Sequence, residues 1–254
     1  MFYVDTADVI RNIYSTNDPT TWREGNVGSK GYKVPKETNI AFTAGGGITY
    51  NHTLNEIDGG ISLYASGTDG TIHEYIFDNQ NGTWDNGFTF PDTDGFSGAA
   101  IWSTSSNATL YTASSSQSLE LWFRDYNDTS SGNGNRWQLG PSSRADLMQN
   151  GSMCGQWGIA FQSAGGIVQG SNFTAYGDSG HTRWDTTYNI SDQAAINGSA
   201  VSCWYYFPAK APSWDVKFQI FYQTDESKIE QAVRMWGPDN HTVPGIWNYD
   251  SVPV

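Results

Sequence analysis

Runs of roughly five to eight residues, in which apolar and polar positions partly alternate, recur along the chain between clusters of turn formers. ISLYAS from Ile61, TIHEYIFD from Thr71, ATLYTA from Ala108, SLELWFRD from Ser118, VKFQIFYQ from Val216 and KIEQAVRMW from Lys228 are the clearest. A two-residue period with β-branched and aromatic content is the pattern of a strand with two distinct faces. Between the runs lie turn segments such as Gly67-Thr-Asp-Gly70 and Asn79-Gln-Asn-Gly82. The pattern predicts many short strands and an all-β chain.

The strands recur in phase. Trp22, Trp84, Trp137, Trp184 and Trp236 are 62, 53, 47 and 52 residues apart, and a small hydroxyl residue follows each of them. Those residues, Thr38, Ser97, Ser152, Ser199 and Ser251, each begin a short apolar segment. SGAAIW, SMCGQW and SAVSCW share one form, a serine with a tryptophan five positions on, and predict the first strand of each repeat. There the small residue allows close approach and the tryptophan fills the gap to a neighbouring sheet. Trp22, Trp84 and Trp137 each open a W-x-x-G turn. Four strands per roughly 50 residues is the size of a propeller blade.

A single β-propeller domain over residues 1–254 follows, with blades near 38–96, 97–151, 152–198 and 199–250. The fifth blade joins residues 251–254 to residues 1–37, so that both chain ends complete it and no long sheet edge is left exposed. A C-terminal strand donated to another copy is the alternative, and it implies self-association.

Composition narrows the function. The formal charge of −13 repels phosphate backbones and anionic lipid heads, which excludes nucleic acid and membrane surfaces as partners. No run of about 18 apolar residues marks a membrane-spanning helix. The opening MFYVDTADVIRNIY lacks the basic and apolar regions of a leader peptide. Yet nine asparagines stand in Asn-x-Ser/Thr sequons: Asn51, Asn81, Asn107, Asn127, Asn150, Asn172, Asn189, Asn197 and Asn240. Composition alone gives roughly four. The excess predicts a secreted, extracellular glycoprotein whose leader is removed or lies outside this sequence. Cys154 and Cys203, an even pair in that setting, predict one disulfide, with two buried thiols as the other reading. Two cysteines and four histidines make no zinc-type cluster, so no metal and no cofactor is expected.

The rhythm SGAAIW–ATLYTA–SLELWF–W-x-x-G, and above all Ile72-His-Glu-Tyr75 before Gly82-Thr-Trp-Asp-Asn-Gly87, resembles the fungal fucose-specific lectins. The resemblance covers nearly the whole chain as a repeat pattern. It implies a propeller that binds glycans non-covalently in clefts between blades. An arginine and a glutamate take the sugar hydroxyls there, and an aromatic ring covers the apolar face. Glu74 matches the family glutamate, and Trp137 of the following blade is its aromatic partner. The arginine position is Ser62, Thr109 and Gln219 in the legible blades; the glutamate position is Asn12, Leu121 and Gln231 in the others. The candidate ligand-binding set is therefore Glu74, Trp137, Ser62, Thr109, Gln219, Gln231 and Trp84. The competing role for the periodic tryptophans is packing between blades.

Two other classes remain. A glycosidase needs two carboxyls across one sugar bond. Asp5, Asp58, Asp78, Asp125 and Asp185 stand in different phases of the repeat, and no hydrolase, metalloprotease, phosphate-loop or dinucleotide motif occurs, so no catalytic residue is assigned. A glycosylated structural, adhesive or fibre-forming protein that has lost sugar binding fits the sequon density.

Overall fold

The computed structural model describes residues 1–15, 20–35, 40–43, 48–51, 56–59, 61–78, 81–103, 107–125, 137–140, 142, 146–155, 158–176, 181–184, 187–206, 216–236 and 247–252. They form five antiparallel sheets and one hairpin. The first sheet holds β1 (Phe2–Val4), β2 (Ile10–Ser15) and β3 (Trp22–Glu24). The second orders β4 (Ile40–Thr43), β7 (Ser62–Ser66), β8 (Ile72–Asp78) and β9 (Thr83–Phe90), with β5 (Ile48–Asn51) and β6 (Glu56–Gly59) inserted as the hairpin. The third is β10 (Ala99–Ser103), β11 (Asn107–Ala113), β12 (Leu119–Asp125) and β13 (Gln138–Leu139).

The fourth sheet contains β14 (Met153–Gly155), β15 (Gly158–Gln162), β16 (Ile167–Tyr176), β17 (His181–Trp184) and β18 (Tyr188–Ala194). Its long strand β16 pairs with β18 over its first half and with β17 over its second. The fifth is β19 (Ser202–Tyr206), β20 (Val216–Asp225), β21 (Lys228–Trp236) and β22 (Asn248–Val252). The chain forms two compact units, residues 1–116 with 120–140, and residues 117–119 with 141–254.

Sheet alternation builds the core of each unit. In β7 every residue is buried because both faces are covered. Leu63 and Ala65 pack with Ile10, Val27, Val34, Tyr75 and Trp84 on the first-sheet side. Tyr64, on the other face, packs with Ile72, Phe90, Leu110, Trp122 and Trp137 on the third-sheet side. In the second unit Ala160, Val168 and Ile190 meet Phe218, Ile220, Tyr222, Ala232 and Trp247 between the fourth and fifth sheets. Cys154 and Cys203 are bonded, tying β14 to β19.

Two expectations need correction. Ser251 and Val252 do not begin the blade of residues 1–37; they pair in β22 with Glu230 and Ile229 of β21. The cause is Trp247, buried in the core beside β21, which sets the following residues antiparallel along that strand's edge. Pro253 and Val254 lie outside the described residues. The first sheet accordingly shows three strands among the described residues. The tryptophan ending each serine-led strand does not always fill a gap either. Trp102 is half-buried, but Trp204 is 61% exposed. Trp157 lies outside the described residues.

The bond between Cys154 and Cys203 closes a separation of 49 residues, so the Cys154→Ala/Cys203→Ala pair should lose about 4 kcal/mol by the chain-entropy relation. Denaturant midpoints measure the loss, and a thiol assay on the unfolded wild type should read zero. Burial pushes the Glu120 carboxyl above its usual range, helped by the charge of Asp92 and partly offset by the Trp122 indole and the Thr112 hydroxyl. A raised carboxyl favours the fold below its unfolded pKa, and that contribution is lost as pH rises through the folded value. Glu120→Gln should therefore stabilise the protein near neutrality and change little near the unfolded carboxyl pKa, as thermal melts at the two pH values can show.

Candidate functional site

The site is laid out by the W-x-x-G segments, which the structure places on the strands β3, β9 and β13 rather than in turns. The glycine of each segment lies across the residue at the family's glutamate position. The amides of Gly25 and Gly140 donate to the carbonyls of Asn12 and Leu121 at 2.8 and 2.7 Å. A Cβ on Gly25 would stand 2.1 Å from Asn12 Nδ2, on Gly87 2.7 Å from Glu74 Oε2, and on Gly140 3.1 Å from Leu121 Cδ2. Glycine is needed because a side chain folds over the outer strand at that point. Two of the three tryptophans reach back toward the preceding part of the chain. Trp84 Nε1 donates to Asn26 Oδ1 at 3.1 Å, and Trp137 Nε1 donates to Glu74 Oε2 at 3.2 Å.

Glu74 is the centre of this arrangement. It lies on β8 directly opposite Tyr64, whose hydroxyl donates to Oε1 at 3.1 Å. Oε2 accepts from the Phe88 amide at 3.2 Å, from Trp137 Nε1, and from Arg124 Nη2 at 2.7 Å. The Arg124 guanidinium stands 4.5 Å from the Trp137 ring centroid, a cation–π contact. Glu74 is 1% exposed, Trp137 5% and Arg124 6%. Buried charges persist when paired and hydrogen-bonded, and all three groups are.

Glu74 and Trp137 meet directly, through the edge of the indole. Arg124 was not anticipated from the sequence. It comes from β12 of the following sheet rather than from the Ser62 position. The two-residue period could have flagged it, because Glu120, Trp122 and Arg124 alternate on one face of that strand. Both carboxylate oxygens are engaged by protein donors, and the cleft is filled by aromatic rings, among them Phe88, Phe90 and Trp122.

The other candidates separate by exposure. Ser62, opposite Ile76, and Thr109, opposite Trp102, are buried at 5% and 8%. Trp84 is buried in the first-sheet core, 5.3 Å from Phe77 and 5.8 Å from Phe2 between ring centroids. In the fifth sheet the same two positions are less deeply buried. Gln219 and Gln231 are each half-buried. Gln219 is directly opposite Trp204 on one side and Val233 on the other, and Gln231 lies two residues from Val233 on β21. Register therefore puts Trp204, Gln219 and Gln231 on one face. Trp22, the first of the W-x-x-G tryptophans, is exposed.

Asp5 is a loop anchor. It accepts from the Val9 and Ala7 amides and from Arg11 Nε, and the Val9 bond leads in holding its carboxyl below the usual range. Asp78 accepts from the Asn81 amide. The sequon residues Asn81, Asn107, Asn150, Asn189 and Asn197 are exposed. Asn51 and Asn172 lie on β5 and β16, while Asn127, Asn240 and Asp185 lie outside the described residues. No group of three metal-ligating side chains occurs among the described residues.

No family model and no curated protein matches the chain. Solved structures do. AofleA from Arthrobotrys oligospora superposes at a TM-score of 0.71 with 13% identity, covering 100% of this chain and 68% of that one. The SapL1 lectin in complex with alpha methyl fucoside gives 0.63 and 16%, covering 100% and 75%. Aleuria aurantia lectin, a fungal lectin of six-bladed β-propeller fold with its own mode of fucose recognition, gives 0.64 and 18%, covering 99% and 73%. In fold, the chain is similar to these three proteins: all-β, a β-propeller whose blades are the five antiparallel sheets.

Proposed function

We propose that the protein is a secreted, non-enzymatic, lectin-like propeller that binds glycans of fucose type or related sugars. The observation that carries this reading is the Trp204 face of the fifth sheet. An exposed indole, Trp204, stands directly opposite Gln219, and Gln231 lies on the same face one strand further on; the two amides hold the positions the resemblance gives to sugar contacts. An indole covers the C–H face of a pyranose, and amides both donate to and accept from hydroxyls. A neighbour in fold, SapL1, is a lectin in complex with alpha methyl fucoside, which supports the sugar class. Neutral amides in place of charged groups give weaker contacts, so a single site of this kind binds modestly.

In this reading Glu74 and Arg124 have left ligand binding and latch the second sheet to the third. That change favours the second reading as well: a glycosylated structural or adhesive protein on the same scaffold with sugar binding lost.

Calorimetric titration and glycan-array binding on enzymatically deglycosylated protein separate the two. Gln219→Ala and Gln231→Ala should each weaken affinity about three- to tenfold, equal to one hydrogen bond of about 0.7–1.4 kcal/mol. Trp204→Ala should abolish binding. Wild type that binds no sugar at millimolar concentration supports the structural reading instead. Glu74→Gln should leave affinity unchanged. Arg124→Met leaves a buried carboxylate without its counter-charge and should cost about 3–5 kcal/mol of stability, read from denaturant melts.

A further inference from the structure

We propose that Asn150 and Asn197 form a paired N-glycosylation site, two oligosaccharides that rise side by side and jointly cover one end of the second unit. Both asparagines begin an Asn-Gly-Ser sequon one repeat apart, each ending at the serine that opens a blade, Ser152 and Ser199. Both are exposed. The fold brings them together: a Cβ on Gly198 would stand 3.7 Å from the Asn150 carbonyl oxygen. Asn197 Oδ1 lies 3.6 Å from the corresponding point on Gly166, so its side chain crosses the turn that joins β15 to β16.

Gln162, 1% exposed, holds the two turns in fixed relation. Its carbonyl accepts from the Met148 amide, its Oε1 accepts from the Gly198 amide at 3.0 Å, and its Nε2 donates to the carbonyls of Ala195 and Ile196. The turn at Met148–Gly151 closes on its own bond, Gly151 amide to Met148 carbonyl. The pair is therefore built into the packing of the unit.

Chemistry sets the order of events. The Asn Nδ2 forms a bond to C1 of an oligosaccharide carried on a lipid pyrophosphate. The C1–O bond breaks with its electron pair staying on the pyrophosphate, and the amide gives up one proton. The sequon hydroxyls of Ser152 and Ser199 are buried in the fold, so transfer precedes closure of the unit. The Ile196 amide bonds the Gln223 carbonyl, which puts the glycans at the β20–β21 turn end of the fifth sheet. Gln219 is four residues away along β20, about 13 Å at the rise of a strand, so the attachment points stand apart from the Trp204 face. The inference shares with the proposed function only the secretory route.

The test expresses the full chain behind a eukaryotic secretory leader, then maps glycopeptides by mass spectrometry and follows limited subtilisin cleavage. Both asparagines should carry glycan. Asn150→Asp and Asn197→Asp keep the backbone preference at each position and remove one glycan each. Each single variant should keep the protease protection of residues 146–151 and 194–199. The double variant should lose it, and enzymatic deglycosylation of wild type should reproduce that loss. Glycan at neither asparagine or at only one overturns the proposal, as does protection lost turn by turn in the single variants. Sugar affinity is untouched by any of these outcomes, so a failed lectin reading and a failed pair are told apart.

Discussion

A carboxylate enclosed between two sheets must be answered by donors on every side, and Glu74 is. Tyr64 and the Phe88 amide come from its own sheet, and Arg124 and Trp137 come from the next. The first pair fixes the rotamer; the second joins two sheets whose other packing in this core is apolar, Ile72 and Leu110 among the aromatic rings. Low dielectric strengthens each contact while raising the cost of losing one. The packing of Phe90, Trp122 and Trp137 around the pair keeps water out and makes the geometry durable. The same enclosure gives each Glu74 oxygen a protein donor.

The W-x-x-G segment is the device that makes such a latch repeatable. At Trp84 and Trp137 its tryptophan sends an indole N–H back toward the preceding part of the chain, and its glycine makes room for the residue at the glutamate position. Asn26 receives Trp84 in one interval and Glu74 receives Trp137 in the next. What varies is the side chain under the glycine: asparagine, glutamate or leucine at Asn12, Glu74 and Leu121. Glu74 and Trp137 join the second and third sheets by a hydrogen bond. The last sheet keeps amides at the corresponding positions and keeps them partly accessible.

Strand order and phase were legible because two-residue alternation and the tryptophan spacing are local properties of the sequence. The disulfide was legible because only two cysteines exist to pair. Arg124 was not, since its value depends on which face of β12 meets β8, and that is settled by packing between sheets. The terminal strand misled for a similar reason. Ser251 and Val252 resemble a blade start, but Trp247 anchors the chain beside β21 and their hydrogen bonds go there. Exposure at Trp204 and Gln219 was also beyond the sequence, which gives the same strand pattern for buried and open positions.

The central proposal is that Glu74 joins two sheets rather than binding a ligand. Native-state hydrogen exchange at the Phe88 amide and the Trp137 indole N–H, followed with and without a saturating fucoside, tests this most directly. Both protons should exchange only through global unfolding, each with the full stability of the protein, and the sugar should leave exchange through any local opening unaltered. Exchange through a local opening that the sugar suppresses would contradict the account and return Glu74 to the ligand site.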